Sequence, residues 1–232
     1  MNEAGKSTRE MAKKRRQTTN KILIAVLIIG LILTLILAKS KALGLGGLGM
    51  LALMIIISAL PDIIDRPIDR RIKTERRAER GARAEEVIGE LLENLDEDFF
   101  VMHDVDNPNG NIDHIVIKKS GGVFLLETKA HGGRVEIMDD QLLVNGKAPE
   151  KDFVRQTLRN TYWLRDEVEA ATGIKTRIIP VIVFTNAFVR PGKPVKGITV
   201  INKKYLEKFL EQPRGTVQAF EKVWESRERL RE

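Results

Sequence analysis

Two apolar stretches near the start of the chain constrain its fold more than any other feature. Residues 22–38 and 42–60 carry no charged side chain, and only three residues separate them. A helix of the first stretch is roughly 26 Å long, enough to cross the hydrocarbon core of a bilayer. The pair therefore predicts a transmembrane helical hairpin over residues 22–60, with a lipid bilayer as its partner.

The residues that flank the hairpin predict its orientation. Lys and Arg are concentrated in residues 1–21 and 61–80, and only Lys39 and Lys41 lie between the two spans. The positive-inside rule then predicts a two-span protein of the cell membrane, with both termini and the soluble domain in the cytoplasm. The alternative is a secretory signal peptide. The first apolar run is long for one, and a second run follows at once.

The positive charge of the chain lies beside the predicted hairpin. The formal net charge is +7, but residues 1–80 contain 16 basic and 7 acidic residues, which leaves 23 basic and 25 acidic residues in the remainder. This distribution suits a membrane surface, and it requires any nucleic-acid site in the remainder to be a local basic patch. The chain has no cysteine, which excludes disulfides and zinc–thiolate sites.

The remainder of the chain alternates helix and strand patterns. An apolar stripe at helical spacing follows Gly81. Separate strand-like segments then cover residues 99–103, 111–117, 123–130, 134–138 and 141–144. A helical pattern at residues 152–171 and an apolar strand at residues 177–185 come next. We expect a mixed α/β domain. The predicted parts are a basic N-terminus (1–21), the hairpin (22–60), a charged juxtamembrane helix or linker (61–80), the domain (81–211) and a C-terminal helix (212–232).

Two strands of this domain carry the candidate chemistry. If their hairpin loop is centred on Ser120, Ile115 faces Leu125 and Asp113 faces Glu127. Directly opposed residues on antiparallel strands have Cβ atoms roughly 5 Å apart. Two carboxylates at that distance repel each other, and a divalent cation between them removes the repulsion. The register therefore predicts a metal site.

Lys129 belongs to the same face, because side chains alternate along a strand. Beside a metal, Lys129 could lower the pKa of an attacking water or stabilise a pentavalent phosphate. The alternative is an exposed ion pair between Glu127 and Lys129, with Asp113 at the end of a turn. The metal site is favoured, because a charged residue inside an apolar strand is rarely buried unless it has a partner of opposite charge.

These segments resemble a known family. Residues 111–117 (Asn-Ile-Asp-His-Ile-Val-Ile) and 122–129 (Gly-Val-Phe-Leu-Leu-Glu-Thr-Lys) resemble the NERD (nuclease-related) domain, a branch of the PD-(D/E)xK nuclease superfamily. Residues 81–85 (Gly-Ala-Arg-Ala-Glu) look like the start of that domain. Residues 152–156 look like its Asn-Pro-x-x-Gln helix start with the Asn-Pro pair replaced. The resemblance implies a restriction-endonuclease-like αβββαβ core.

The resemblance also implies a Mg²⁺ (or Mn²⁺) site and roles for individual residues. The implied metal ligands are Asp113, Glu127 and the carbonyl of Thr128; the implied catalytic cation is Lys129, and the implied supporting residues are Glu85 and Gln156. The helical spacing of apolar residues does not support a site role for Gln156. It lies opposite the stripe of Val154 and Leu158, which predicts an exposed side chain.

The expected function is a membrane-anchored, metal-dependent nuclease that hydrolyses phosphodiester bonds at the cytosolic face, with DNA favoured over RNA. The alternative is a catalytically inactive, membrane-tethered nucleic-acid-binding or scaffold module of the same fold. A homo-oligomer stays open as a further partner. Arg155, Arg159 and Arg165 form either a phosphate contact or a solvated helix face. His114 alternates away from Asp113, which favours a core or surface role, and His103 has no evident partner. His131 follows the Glu127–Lys129 strand and could contact substrate, although a loop residue without a role is favoured.

Overall fold

The computed structural model describes helical positions scattered between residues 9 and 39, and then residues 72–108, 110–212 and 222–227. The chain divides into two compact units: Thr8–Glu79 forms one, and Arg80–Glu232 belongs to the other. The candidate site lies entirely in the second unit.

Little of the predicted hairpin is described. Of residues 22–60 the structure describes only residues 24, 28–32, 35 and 39, all helical, and the rest of the prediction lies outside the described residues. Within the described part of the chain, no helix is long and apolar enough to cross a membrane. Residues 72–79 are helical, as expected for part of the juxtamembrane segment, and residues 61–71 lie outside the described residues.

The second unit has the predicted order of helices and strands. Helix α1 covers residues 72–93 and so begins in the first unit. The elements that follow are β1 (Phe99–Asn107), β2 (Gly110–Lys118), β3 (Val123–Met138), β4 (Gln141–Val144), α2 (Phe153–Thr172), β5 (Ile178–Val189), β6 (Thr199–Asn202), a 3-10 turn (Lys203–Tyr205) and α3 (Leu206–Glu211). The expectation of a mixed α/β domain is confirmed.

The strands form one six-stranded sheet in the order β1-β2-β3-β5-β6, and β4 pairs with the far half of β3. β1, β2 and β3 pair antiparallel, whereas β5 pairs parallel to both β3 and β6. Helix α2 provides the crossover that a parallel β3–β5 pair requires. The predicted register of the β2–β3 hairpin is confirmed where Ile115 pairs with Leu125 and Ile117 pairs with Val123, but the ladder ends at His114 and Leu126 and does not include the expected pair of Asp113 and Glu127.

Helices cover both faces of the sheet. One face is packed by α1 and α3, whose buried residues meet those of β2, β3 and β5: Ile88, Leu92, Leu206, Leu210, Val116, Phe124, Leu126, Val181 and Val183. The other face is packed by α2, with Leu164 and Val168 against Ile115, Ile117 and Leu125. The apolar runs of the central strands follow from this burial on two sides.

One predicted element boundary is wrong, and most of the predicted C-terminal helix lies outside the described residues. Residues 123–130 and 134–138 were expected as separate strands, but β3 is continuous, because Gly132 and Gly133 keep pairing with β5 after a register shift that follows Lys129. Of the predicted C-terminal helix, only residues 222–227 are described, and residues 222–225 are helical. Val223 is fully buried in the same core as α2, so the core extends beyond residue 211.

A buried histidine pair, which the sequence did not predict, links β1 and β2. His103 pairs with His114 across the two strands, and their Nδ1 atoms lie 2.8 Å apart, so one ring donates a proton that the other accepts. Burial lowers the pKa of His103, against the opposing effect of Glu93. Burial and the neighbouring His103 hold the pKa of His114 well below its usual range. The pair is therefore neutral in the folded protein at neutral pH.

This pair predicts that the protein loses stability in acid. In the unfolded chain histidine binds its proton near pH 6.5, whereas both folded pKa values are lower. The contribution of the neutral histidine pair to the free energy of unfolding is complete above about pH 6.5. Below that pH it decreases, by up to about 1.4 kcal/mol per pH unit for each histidine. Urea unfolding of wild type and His114→Gln at pH 7.5 and 5.5 measures the difference. Equal pH dependence in the two proteins would contradict the prediction.

Candidate active site

Asp113 lies where the β2–β3 ladder stops. The last paired residues are His114 and Leu126, and one position further Asp113 Oδ2 accepts a hydrogen bond from the backbone N–H of Thr128 at 2.6 Å. The side chain of Asp113 thus takes the place of a backbone partner, and only 9% of the residue is exposed. This bond fixes the Asp113 carboxylate against the Glu127–Lys129 segment of β3.

Glu127 is held in the centre of the sheet. It pairs with Ile182 of β5 and is 1% exposed. Its Oε1 accepts hydrogen bonds from Lys129 Nζ at 2.5 Å and from Gln156 Nε2 at 2.8 Å. Its Oε2 is buried and has no hydrogen-bond partner among the described residues. A buried carboxylate oxygen without a partner is costly, so this atom is available to an additional cation or donor.

Lys129 completes a triangle with Glu127 and Gln156. Its Nζ also donates to Gln156 Oε1 at 3.5 Å and lies 4.8 Å from the centre of the Phe153 ring. Burial by itself lowers the pKa of Lys129, but the charges of Glu127 and Asp113 outweigh it and raise that pKa above its usual value. Lys129 is therefore a fixed cation on the inner side of the site.

Glu85 joins the site through its charge. It is a buried residue of α1, 9% exposed. Burial raises the pKa of Asp113 well above its usual range, and the negative charges of Glu127 and Glu85 raise it further, against the opposing effects of Lys129 and the Thr128 N–H. Three acidic side chains thus share one electrostatic environment with a single lysine.

The structure brings the six predicted site residues together. Direct hydrogen bonds join Asp113 to Thr128, and join Glu127 to both Lys129 and Gln156. The alternative of an exposed ion pair is wrong, because the side chains of Lys129 and Glu127 are only 12% and 2% exposed. No contact of the Thr128 carbonyl with an ion or side chain is described, and Thr128 Oγ1 is buried without a hydrogen-bond partner among the described residues.

Apolar periodicity was wrong about Gln156, because the buried stripe of α2 is largely polar near the site. The buried residues of α2 are Phe153, Val154, Thr157, Asn160, Thr161, Leu164 and Val168. Gln156 lies one turn from Phe153 and from Asn160, so it borders this stripe and reaches Glu127. A signal was present in the sequence: Thr157, Asn160 and Thr161 recur at helical spacing, although a hydrophobicity pattern assigns them to solvent.

The chemistry of the side chains fits a hard divalent cation. Such a cation accepts carboxylate oxygens together with waters and substrate phosphate oxygens, and does not require a complete protein cage. Among the described residues, no three His, Asp or Glu side chains form a complete metal-binding cluster. Asp113 and the unpaired Oε2 of Glu127 would hold the ion, and its remaining ligands would be water and substrate.

Other predicted candidates lie apart from this cluster. His103 and His114 are hydrogen-bonded to each other. His114 follows Asp113 in β2, and neighbouring side chains of a strand lie on opposite faces of the sheet. The ring of His131 packs on Phe153, with 5.1 Å between the ring centres, one aromatic contact away from Lys129. Arg165 is bound to its neighbour Asp166 at 2.8 Å. His131 lies within β3.

The comparison with known families agrees with this arrangement. Residues 80–185 match the family model NERD, the nuclease-related domain. The matched segment runs from α1 to β5 and contains all six residues of the site. No curated protein and no solved structure matches the chain. Residues 80–185, a little less than half of the chain, are therefore similar to the nuclease-related domain.

Proposed function

We propose that the chain is a metal-dependent nuclease of the PD-(D/E)xK class, which hydrolyses phosphodiester bonds, with DNA as the favoured substrate. The observation that carries the proposal is the buried cluster of Asp113, Glu127 and Lys129. Glu127 has a buried oxygen without a partner, and Lys129 is fixed 2.5 Å from its other oxygen. Acidic ligands and a neighbouring cation are what metal-assisted phosphoryl transfer requires.

Each side chain has a distinct task in this proposal. A bound Mg²⁺ or Mn²⁺ supplies Lewis acidity toward the phosphate and lowers the pKa of water. Asp113 and Glu127 hold that ion, and the Thr128 N–H keeps Asp113 in position. Lys129 places a positive charge beside the oxygen on which negative charge develops. Gln156 orients Glu127 and Lys129 by bonding to both, and Glu85 adds negative charge that favours cation binding.

The direct test is a cleavage assay with the full chain in detergent micelles. We expect Mg²⁺ or Mn²⁺ to permit cleavage of labelled DNA and EDTA to prevent it. Single-stranded and double-stranded DNA and RNA, tested side by side, identify the substrate class. Binding of nucleic acid without cleavage in either metal would favour the inactive tethered module instead.

Gln156→Ala tests the orienting role. The substitution removes one donor to the Glu127 carboxylate and one acceptor from Lys129. A hydrogen bond to a charged group contributes about 1.5–3 kcal/mol, so kcat should fall by at least about tenfold with little change in KM. Glu167→Ala, an exposed position on the same helix, is the matched control. An unchanged kcat in Gln156→Ala would remove Gln156 from the site.

We also propose that residues 22–60 anchor the protein in the cell membrane as a helical hairpin. Supporting this, the described apolar residues of the first stretch are half exposed: Ile24 56%, Ile28 51%, Ile29 54%, Leu31 62%, Ile32 49% and Leu35 60%. An apolar surface of this kind marks an interaction site for lipid or protein. The Lys and Arg residues that flank residues 22–60 favour an orientation with both termini in the cytoplasm.

Reporter fusions test the topology. A reporter enzyme that is active only outside the cytoplasm should be inactive when fused at Met1 or at Glu232, because the clustered cations hold both ends inside. A cytoplasmic reporter at the same positions should be active. Activity of the external reporter at either terminus would contradict the proposed orientation.

A further inference from the structure

A basic groove lies beside helix α2, outside the acidic cluster. Its volume is about 480 Å³, and α2 and the loop between β5 and β6 form its walls. The residues that matter here are Arg155, Arg159, Tyr162, Lys196 and Asp152. Three cations thus face one carboxylate, and Asp152 is already engaged in capping α2 through the N–H of Arg155.

The three cations are available to a ligand. Arg155, Arg159 and Lys196 are exposed, and within the part of the chain that the structure describes none of them forms an ion pair. The chain after residue 80 has 23 basic and 25 acidic residues, so a concentration of unpaired cations in one groove is a local feature. It is the kind of patch that a phosphate backbone contacts.

Lys196 is held in an unusual backbone conformation. Val195 and Ile198 exchange two backbone hydrogen bonds of 3.0 and 2.8 Å around Lys196 and Gly197, whose φ angles are +48° and +82°. This is a type I′ turn, which favours Asn at the first central position. A lysine there is strained, and strain of this kind concentrates at ligand-binding positions. Val195 and Ile198 are fully buried, so the turn is firmly anchored.

Tyr162 adds an aromatic surface to the cations. Its residue surface is 53% exposed, and the guanidinium of Arg165 lies 5.4 Å from the ring centre. An exposed tyrosine beside phosphate-binding cations can stack on an unpaired base. A duplex offers no free base face along its length, so this combination favours a single strand.

We infer that this groove binds single-stranded nucleic acid, with phosphates on Arg155, Arg159 and Lys196 and one base on Tyr162. The inference rests on the proposed nuclease function and names the form of its substrate. The two sites share a helix: Tyr162 lies six residues after Gln156, about 9 Å along the axis. Arg155 of the groove and Gln156 of the Glu127 cluster are consecutive residues, so one end of the groove lies at the turn of α2 that also carries Gln156.

Fluorescence anisotropy with the full chain in detergent tests the inference. The probes are a labelled single-stranded DNA 20-mer and the same sequence as a duplex, both in EDTA, so that cleavage plays no part. The wild type should bind the single strand more tightly. Tyr162→Ala should weaken single-strand binding by about 5- to 100-fold and leave duplex binding almost unchanged. Tyr205→Ala, at an exposed tyrosine outside the groove, should bind as the wild type does.

Lys196→Asn removes the positive charge of Lys196 and keeps a residue that suits the turn, so it distinguishes a loss of charge from a loss of folding. Asparagine suits the type I′ turn better than lysine, so the variant should unfold at the same temperature as wild type or higher. Its affinity for the single strand should nevertheless fall. The slope of log Kd against log salt concentration should decrease by about one, which corresponds to the loss of one phosphate contact. Lys175→Asn, exposed beyond the other end of α2, is the matched control and should change neither quantity.

The outcomes are distinct. Wild-type single-strand affinity in both Tyr162→Ala and Lys196→Asn would overturn the inference. Tighter binding of the duplex, with equal losses on both probes, would overturn the single-strand assignment and identify a duplex backbone site. Groove-dependent binding without any cleavage in Mg²⁺ or Mn²⁺ would retain the groove and reject the nuclease.

Discussion

Glu127→Gln is expected to abolish Mg²⁺-dependent cleavage. The substitution preserves the shape of the side chain but removes the charge that holds the cation, and Lys129 loses its ion-pair partner. Asp113→Asn should have the same effect for the same reason, because a site with one carboxylate binds Mg²⁺ poorly. Cleavage of the preferred substrate by wild type and both variants, at equal protein concentration and saturating metal, measures the loss.

Stability measurements separate this loss from unfolding. Asp113→Asn keeps an oxygen that can accept from the Thr128 N–H, and it removes a buried charge that Glu127 and Glu85 repel. Without metal the variant should therefore be at least as stable as wild type. Each kcal/mol of electrostatic repulsion that the substitution removes should raise Tm by about 2–4 °C. Glu136→Gln, on the same strand and paired with Arg134 and Arg190, should cleave normally. An active Glu127→Gln would contradict the assignment.

Lys129→Met should lower the cleavage rate by about 10²- to 10³-fold, because a positioned charge beside a developing oxyanion typically contributes that much. The variant should still bind divalent ions, and more tightly than wild type, since a competing cation has left the Glu127 carboxylate. Single-turnover cleavage and a metal titration on the same preparation give both quantities.

Metal-free stability provides the control for Lys129→Met. Removal of the ammonium leaves the buried Glu127 with Gln156 as its remaining partner among the hydrogen bonds described, which should cost about 3–5 kcal/mol. Mn²⁺ should therefore raise the Tm of the variant more than that of wild type. If the variant cleaves as fast as wild type, Lys129 only neutralises Glu127 and has no part in the reaction.

The hairpin and its register could be predicted from the sequence because strand periodicity is strict. Once Ser120 is taken as the centre of the loop, the pairing of Ile115 with Leu125 follows, and a slip of one residue would move Asp113 and Glu127 to opposite faces. The apolar run at residues 177–185 indicates a strand covered on both faces. In β5, Val181 and Val183 pack with α1 and α3 on one face, and Ile178 packs with α2 on the other.

Features that depend on tertiary contacts could not be predicted. The contact between His103 and His114 depends on the register of β1 against β2, which the apolar pattern of these two strands does not determine. Gln156 was misassigned because a polar buried stripe has no hydrophobic periodicity. The unpaired Oε2 of Glu127 becomes apparent only when the partners of Oε1, Lys129 and Gln156, are known.

A calorimetric titration of Mn²⁺ into the full chain tests the central claim most directly. Wild type should bind Mn²⁺ at one site, formed by Asp113 and Glu127, and Glu127→Gln and Asp113→Asn should each lose that site. Lys129→Met should retain it. Binding that persists unchanged in the double variant Asp113→Asn/Glu127→Gln, or a wild type that binds no divalent ion, would contradict the proposal that these two carboxylates hold a catalytic metal.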